Sequence, residues 1–138
     1  MTAVLVDSSV LLDLVTDDPL WAEPAWSAVL ETASSRELVI NPVVFAEVTM
    51  SFARIEEADE VLPPKLFRRE AIPWEAAFLA GKAFLAYRRR GGQRRSPLPD
   101  FFIGAHAAVR DYALLTRDPG GVRCYFPTLK IIAPETRP

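Results

Sequence analysis

The sequence predicts an α/β fold, a central parallel sheet flanked by helices in a three-layer sandwich. Two observations carry this. Short apolar runs recur along the chain, and each is separated from the next by stretches with helical periodicity. Parallel strands need crossovers of a dozen or more residues, and the spacing of these runs supplies them. The chain has 138 residues, half of them hydrophobic, which suits one domain spanning 1–138 with an ordinary core.

The elements follow in order. "AVLV" (3–6) reads as a buried strand, stopped by Asp7-Ser8-Ser9. "SVLLDLV" opens a helix that Asp17-Asp18-Pro19 breaks. "WAEPAWSAVLETASS" resumes the helical pattern, with Trp26, Val29 and Leu30 expected on one apolar face. "ELVI" (37–40) is a second strand. Asn41-Pro42 then supplies an N-cap and a first-turn proline for a helix containing Glu47. "EEADEVL" is a short helix ended by Pro63-Pro64. Pro73 opens a longer one, in which Trp74, Phe78, Gly81 and Leu85 recur at helical spacing, and Gly91-Gly92 closes it. "GGQRRSPLP" reads as a mobile loop, and Pro99 starts the helix "DFFIGAHAAVRDY". "ALLT" (113–116) is a third strand, closed by a turn at Arg117-Asp118-Pro119-Gly120, and "LKIIA" (129–133) a fourth.

Composition excludes several classes. Cys124 is the single cysteine, so neither an intrachain disulfide nor a cysteine-rich metal site can form. No apolar run approaches the ~18 residues of a membrane span, and "MTAVLVDSS" lacks the basic start of a signal peptide. A reduced, cytoplasmic protein without a membrane partner is expected. The net charge is −2, yet Arg88, Arg89, Arg90, Arg94 and Arg95 gather five of the 16 basic residues in one short stretch. Guanidinium groups bind phosphate oxygens bidentately, so the cluster suits phosphate; a solvated surface loop is the plainer alternative.

Four acids stand where such a fold places ligands, beyond the carboxyl ends of the strands. Asp7 follows the first strand and Asp118 the third, Glu47 lies about two turns into the helix after the second, and Asp100 opens the helix after the arginine loop. Each has an ordinary structural explanation, as an N-cap, a helix-dipole partner or a solvated position. Together they would repel one another, and a cation resolves that repulsion. Carboxylate oxygens with open positions suit Mg²⁺ or Mn²⁺. No nucleophile system competes: His106 is the lone histidine and is expected to pack or hydrogen-bond on its helix. Asp13 is expected to be a surface or cap residue, and Cys124 a small packed one.

Taken in order, "VLVDSSVLLDL", "NPVVFAEV", "LPDFFIGAHA", "LLTRD" and "YFPTLKIIAP" resemble the PIN domain, and within it the VapC-like toxin ribonucleases of bacterial toxin–antitoxin pairs. The resemblance covers nearly the whole chain. It implies a PIN-like parallel sheet with Asp7, Glu47, Asp100 and Asp118 as catalytic, metal-binding acids. Ser9 and Thr116 match supporting hydroxyls beside them. The implied activity is metal-dependent hydrolysis of RNA phosphodiesters, in tRNA or another structured or single-stranded RNA. The implied partners are a cognate antitoxin and a second copy in a homodimer. A catalytically inactive RNA- or antitoxin-binding PIN module is the alternative. A haloacid-dehalogenase-type phosphatase fits poorly, since Ser9 stands where it needs a second aspartate. So does a response-regulator receiver, whose late lysine has no counterpart after a strand.

Overall fold

The computed structural model describes residues 2–91 and 98–135. Arg94, Arg95 and most of the expected mobile loop lie outside the described residues. The order is β1 (Val4–Val6), α1 (Ser8–Val15), α2 (Ala22–Ala33), β2 (Leu38–Ile40), α3 (Pro42–Thr49), α4 (Glu56–Val61), β3 (Phe67–Arg69), α5 (Trp74–Arg89), α6 (Leu98–Arg110), β4 (Ala113–Leu115), α7 (Pro119–Tyr125) and β5 (Ile131–Ile132). The five strands form one parallel sheet in the order β3-β2-β1-β4-β5, flanked by the helices.

This order carries the functional geometry. The chain builds outward from β1 to β2 and β3, then returns to place β4 on the other side of β1. The crevice where the order reverses lies between β1 and β4. Asp7 leaves β1 there and Asp118 follows β4 by three residues. The backbone N–H of Asp7 donates to Leu115 O at 2.8 Å, so the two strand ends are tied together.

Buried apolar strands explain most of the sheet. Every residue of β1, β2 and β4 is buried, which is why these runs read as continuously hydrophobic. β3 escaped that pattern. Its sequence is Phe-Arg-Arg, and only Phe67 is buried. It is an edge strand held by charge: Arg68 pairs with Glu37 at 2.9 Å and Glu70 at 3.0 Å, and Arg69 with Asp59 at 2.8 Å. Charged side chains on an edge also discourage pairing with another chain.

Helix boundaries follow local chemistry. Asn41 caps α3, its Oδ1 accepting from Val44 N at 2.9 Å. Asp18 Oδ1 accepts from the backbone N–H groups of Leu20 and Trp21 and so starts the turn into α2. Gly91 ends α5 at φ +69, a left-handed conformation that glycine adopts without strain.

Two helix faces and one connecting segment differ from what the sequence pattern suggests. In α2 the buried stripe is Ala22, Ala25, Val29 and Thr32, whereas Trp26 and Leu30 are exposed. The small residues let the helix pack closely on α1. In α5, Ala76, Ala80 and Tyr87 face the core, and Trp74, Phe78 and Leu85 lie outside; Trp74 is 88% exposed and Phe78 70%. Periodicity found a stripe on each helix but not which stripe is buried. The segment after Asp118, expected to be a turn, is the helix α7.

Candidate active site

Asp7 occupies the N-cap position of α1, yet its side chain makes no capping hydrogen bond. Its Oδ2 instead accepts from Ser9 Oγ at 2.7 Å and Thr116 Oγ1 at 2.8 Å. Two hydroxyls thus fix the carboxylate. The ordinary N-cap explanation does not hold for it. Thr116 is fully buried, and its Oγ1 also accepts from the backbone N–H of Asp118 at 3.1 Å. Ser9 Oγ in turn accepts from Arg117 N at 3.3 Å. The segment Thr116-Arg117-Asp118 is therefore strapped to the start of α1.

Glu47 lies half-buried on α3, its Oε1 accepting from Ser8 Oγ at 2.8 Å. The helix around it is less apolar than its sequence suggested: only Val44 and Val48 are buried. Asp100 sits in the first turn of α6. Asp118 is exposed and caps α7, its Oδ1 facing Gly121 N at 3.5 Å, the limit of a hydrogen bond.

A cleft of about 340 Å³ brings Asp7, Asp100 and Asp118 together over an apolar wall that includes Phe101 and Tyr125. The electrostatics of Asp100 report the convergence. Lost hydration, and then the fields of Asp7, Glu47 and Asp118, push its carboxyl up to about 6. Asp100 keeps this shift although it stands at the exposed rim of the cleft. Asp7, Glu47 and Asp118 therefore all act on Asp100. Among the described residues, no three His, Cys, Asp or Glu side chains are gathered tightly enough to hold a metal ion as placed. An oxygen-only, open arrangement of this kind matches the needs of Mg²⁺ or Mn²⁺, which bind through few carboxylates and keep waters, better than those of a caged ion.

Two acids need correction or addition. Asp13, expected at the surface, is 4% exposed and lines the same cleft. Its Oδ1 pairs with Arg117 Nη1 at 3.2 Å, while Oδ2 is buried without a partner among the described residues. Burial pushes its carboxyl up, and Arg117 only partly opposes this. The sequence signal was available: Asp13 stands between Leu12 and Leu14, six residues after Asp7 on the same helix. Glu70 was not singled out at all. It closes a network with His106, whose Nε2–H faces Glu70 Oε2 at 2.6 Å and whose Nδ1 receives Asn41 Nδ2 at 3.0 Å. Because Asn41 Oδ1 already accepts from Val44 N, the amide must donate to Nδ1, which fixes the neutral Nε2–H tautomer. Tyr112 and Arg68 also donate to Glu70. His106 is thus a fully buried, fully bonded structural group.

The arginines divide. Arg88 and Arg89 end α5 and Arg90 caps it, all exposed. Arg117, not foreseen, lies inside the cleft. Cys124, expected to pack, is exposed on α7.

A PIN domain family model matches residues 4–124. No curated protein matches the chain by sequence. Solved structures do. The chain is similar to the VapBC2 complex from Rickettsia felis bound to promoter DNA, with a TM-score of 0.73, 14% identity, and 96% of this chain and 99% of that one covered. For the FitAcB structure from Neisseria gonorrhoeae the TM-score is 0.70 at 16% identity, covering 95% and 97%. For a toxin–antitoxin complex from Klebsiella pneumoniae it is 0.68 at 19% identity, covering 98% and 100%. At these identities the likeness concerns the fold. With the family model spanning most of its length, the strand order that opens a crevice beside β1, and acids gathered at that crevice, the chain belongs to the PIN domain family.

Proposed function

We propose that this protein is a divalent-metal-dependent endoribonuclease, the toxin component of a toxin–antitoxin pair. The observation that carries the proposal is the convergence of Asp7, Asp100 and Asp118 on one cleft beside β1, with Asp7 held by Ser9 and Thr116 rather than capping α1. Burial and the fields of Asp7, Glu47 and Asp118 push Asp100 up to about 6, as expected of acids arranged for a cation. Asp7, Glu47 and Asp100 would hold Mg²⁺ or Mn²⁺, with Asp118 completing the site or serving a second position. The cation would supply an activated water and neutralise charge developing on a phosphodiester.

The protein's own groups prepare that chemistry. Ser9 and Thr116 hold Asp7 in one orientation, and Ser8 does the same for Glu47. A fixed ligand costs no reorganisation during reaction. The exposed Arg88, Arg89 and Arg90, with Arg94 and Arg95 beyond the described residues, offer positive charge to an RNA backbone that the acids alone would repel. Accessible bases in a single strand or a tRNA loop are the expected target.

Complexes of toxins with antitoxins among the solved relatives support the partner assignment. On this chain we assign the antitoxin to the exposed apolar side chains of α5, Trp74, Phe78 and Leu85, since exposed aromatics of this size mark interaction surfaces. A homodimer working in the cytoplasm belongs to the same reading. Among the described residues no helix is long and apolar enough to cross a membrane.

Cleavage of an RNA pool by purified protein, with Mg²⁺ or Mn²⁺ and with chelator, tests the activity. Metal-dependent cleavage that Asp7→Asn abolishes is expected. Cleavage surviving that substitution would reject the assignment of the site, and RNA binding without cleavage would favour an inactive binding module.

A further inference from the structure

The cleft has an electrostatic problem that the metal ligands do not solve. Four aspartates line it, Asp7, Asp13, Asp100 and Asp118, and among its described lining residues only Arg117 is basic. The backbone of Arg117 is fixed beside the acids, through its N–H to Ser9 Oγ and through its neighbours Thr116 and Asp118. Its side chain turns toward the α1–α2 connection. There Nη1 meets Asp13 Oδ1 at 3.2 Å, and the guanidinium carbon stands 5.1 Å from the centre of the Trp21 ring. Asp18, in the same connection, also feels its charge.

This contact is poorly made for a purely structural tie. Asp13 is buried, but one of its oxygens has no partner among the described residues, and the Arg117 side chain remains 36% exposed. A pair of a buried, half-satisfied carboxylate and a partly exposed arginine is weak support for a fold. What the pair does provide is a guanidinium held at the cleft wall with donors left over, on a strand-end segment anchored to Asp7. Stacking on Trp21 limits its freedom without using its hydrogen-bonding edge.

We infer that Arg117 is a phosphate-binding residue of the cleft, held by Asp13 and Trp21 so that its free edge receives an RNA phosphate next to the acid cluster. The inference rests on the nuclease reading above and names a residue in the cleft distinct from the arginines that end α5. Asp13 is then its counter-ion and holder.

The test is binding of a fluorescent single-stranded RNA, in chelator so that nothing is cleaved, across a series of salt concentrations. Arg117→Ala is expected to weaken binding about tenfold and to make the slope of log K against log salt shallower by about 0.7, the share of one phosphate contact on a single strand. Arg117→Lys should keep most of the slope while losing part of the affinity. Asp13→Asn loosens the hold on Arg117 but leaves the cation, so it should lose affinity, about threefold and less than Arg117→Ala, while keeping the wild-type salt slope. Melting curves on all variants identify any that fail to fold, and Arg117→Lys carries the comparison if Arg117→Ala does. Unchanged affinity and slope in Arg117→Ala would overturn the inference. So would equal losses in Arg117→Ala and Asp13→Asn, because that pattern marks a structural strap. If wild-type protein neither binds nor cleaves RNA, the nuclease reading fails and the inference with it; if wild type cleaves but Arg117→Ala behaves identically, only the inference fails.

Discussion

Thr116 shows how one buried hydroxyl serves the site: its Oγ1 reaches Asp7 Oδ2 at 2.8 Å and accepts from Asp118 N at 3.1 Å. Thr116→Val keeps shape and removes both bonds. It should cost about 1–2 kcal/mol of stability, since Asp7 retains Ser9 and the N–H of Asp118 lies near solvent. Cleavage should fall at least tenfold, because a ligand displaced by a fraction of an ångström loses most of its use. Melting curves and cleavage rates on one preparation separate the two effects. The positions of Asp7, Asp100 and Asp118 were legible because strand ends and helix starts can be read from pattern; Glu47 lies inside α3 and outside the cleft lining. Asp13 was visible between Leu12 and Leu14, but its burial was not, because that depends on how α1 packs across the cleft. Arg117 was hidden in a segment that looked like an ordinary turn. Glu70 was hidden for another reason: its partners Asn41, His106 and Tyr112 are distant in sequence.

The elements that carry the site are locked by contacts that sequence pattern does not expose. Gly104 in α6 has no room for a side chain, since an added Cβ would lie 2.6 Å from Phe126 Cε2. Gly104→Ala should destabilise by about 1–3 kcal/mol, through a forced shift of α6 or Phe126, as read from denaturant midpoints at unchanged m-value. A second lock joins α3 to α6 and β3 through Asn41, His106 and Glu70. Glu70→Gln should cost about 2 kcal/mol by weakening three charge-assisted bonds. It should also lower metal affinity, because α3 carries Glu47 and α6 carries Asp100. A drop in stability with metal affinity intact would confine the network to folding. β1, β2 and β4 were legible because their burial makes them continuously apolar. β3 was not, because an edge strand held by arginine ion pairs has no such signature. α7 was missed because Pro119-Gly120-Gly121 reads as a turn, although Asp118 as N-cap and Pro119 at the first position allow a helix.

For the whole molecule, three groups give the metal-free protein a pH dependence with opposed parts. Asp100 is raised from 3.8 to about 6, so the folded state binds the extra proton between those values. Its contribution to stability is complete below about 4 and is lost as pH rises through 6. His106 is lowered from 6.5, chiefly by burial, so the unfolded chain takes up that proton first and stability falls as pH drops below 6.5. Glu70 is held below 4.5: burial is its largest influence and opposes this, but its bonds to Tyr112, His106 and Arg68 outweigh it. Stability from Glu70 is therefore lost as pH falls below 4.5. In chelator, Asp100→Asn should remove the loss near pH 6, so the variant should melt higher than wild type at pH 7.5. A lower melting temperature would mean that Asp100 serves the fold rather than straining it.

Calorimetric titration with Mn²⁺ tests whether the acid cleft beside β1 is a divalent-cation site. Wild type, Asp7→Asn and Asp100→Asn would be compared at pH 7.5, with wild type repeated at pH 5. Saturable binding by wild type at pH 7.5 is predicted, weaker at pH 5, where Asp100 is largely protonated, and lost or reduced at least tenfold in both variants. Binding that is unchanged in the variants, or absent from the wild type, would contradict the account.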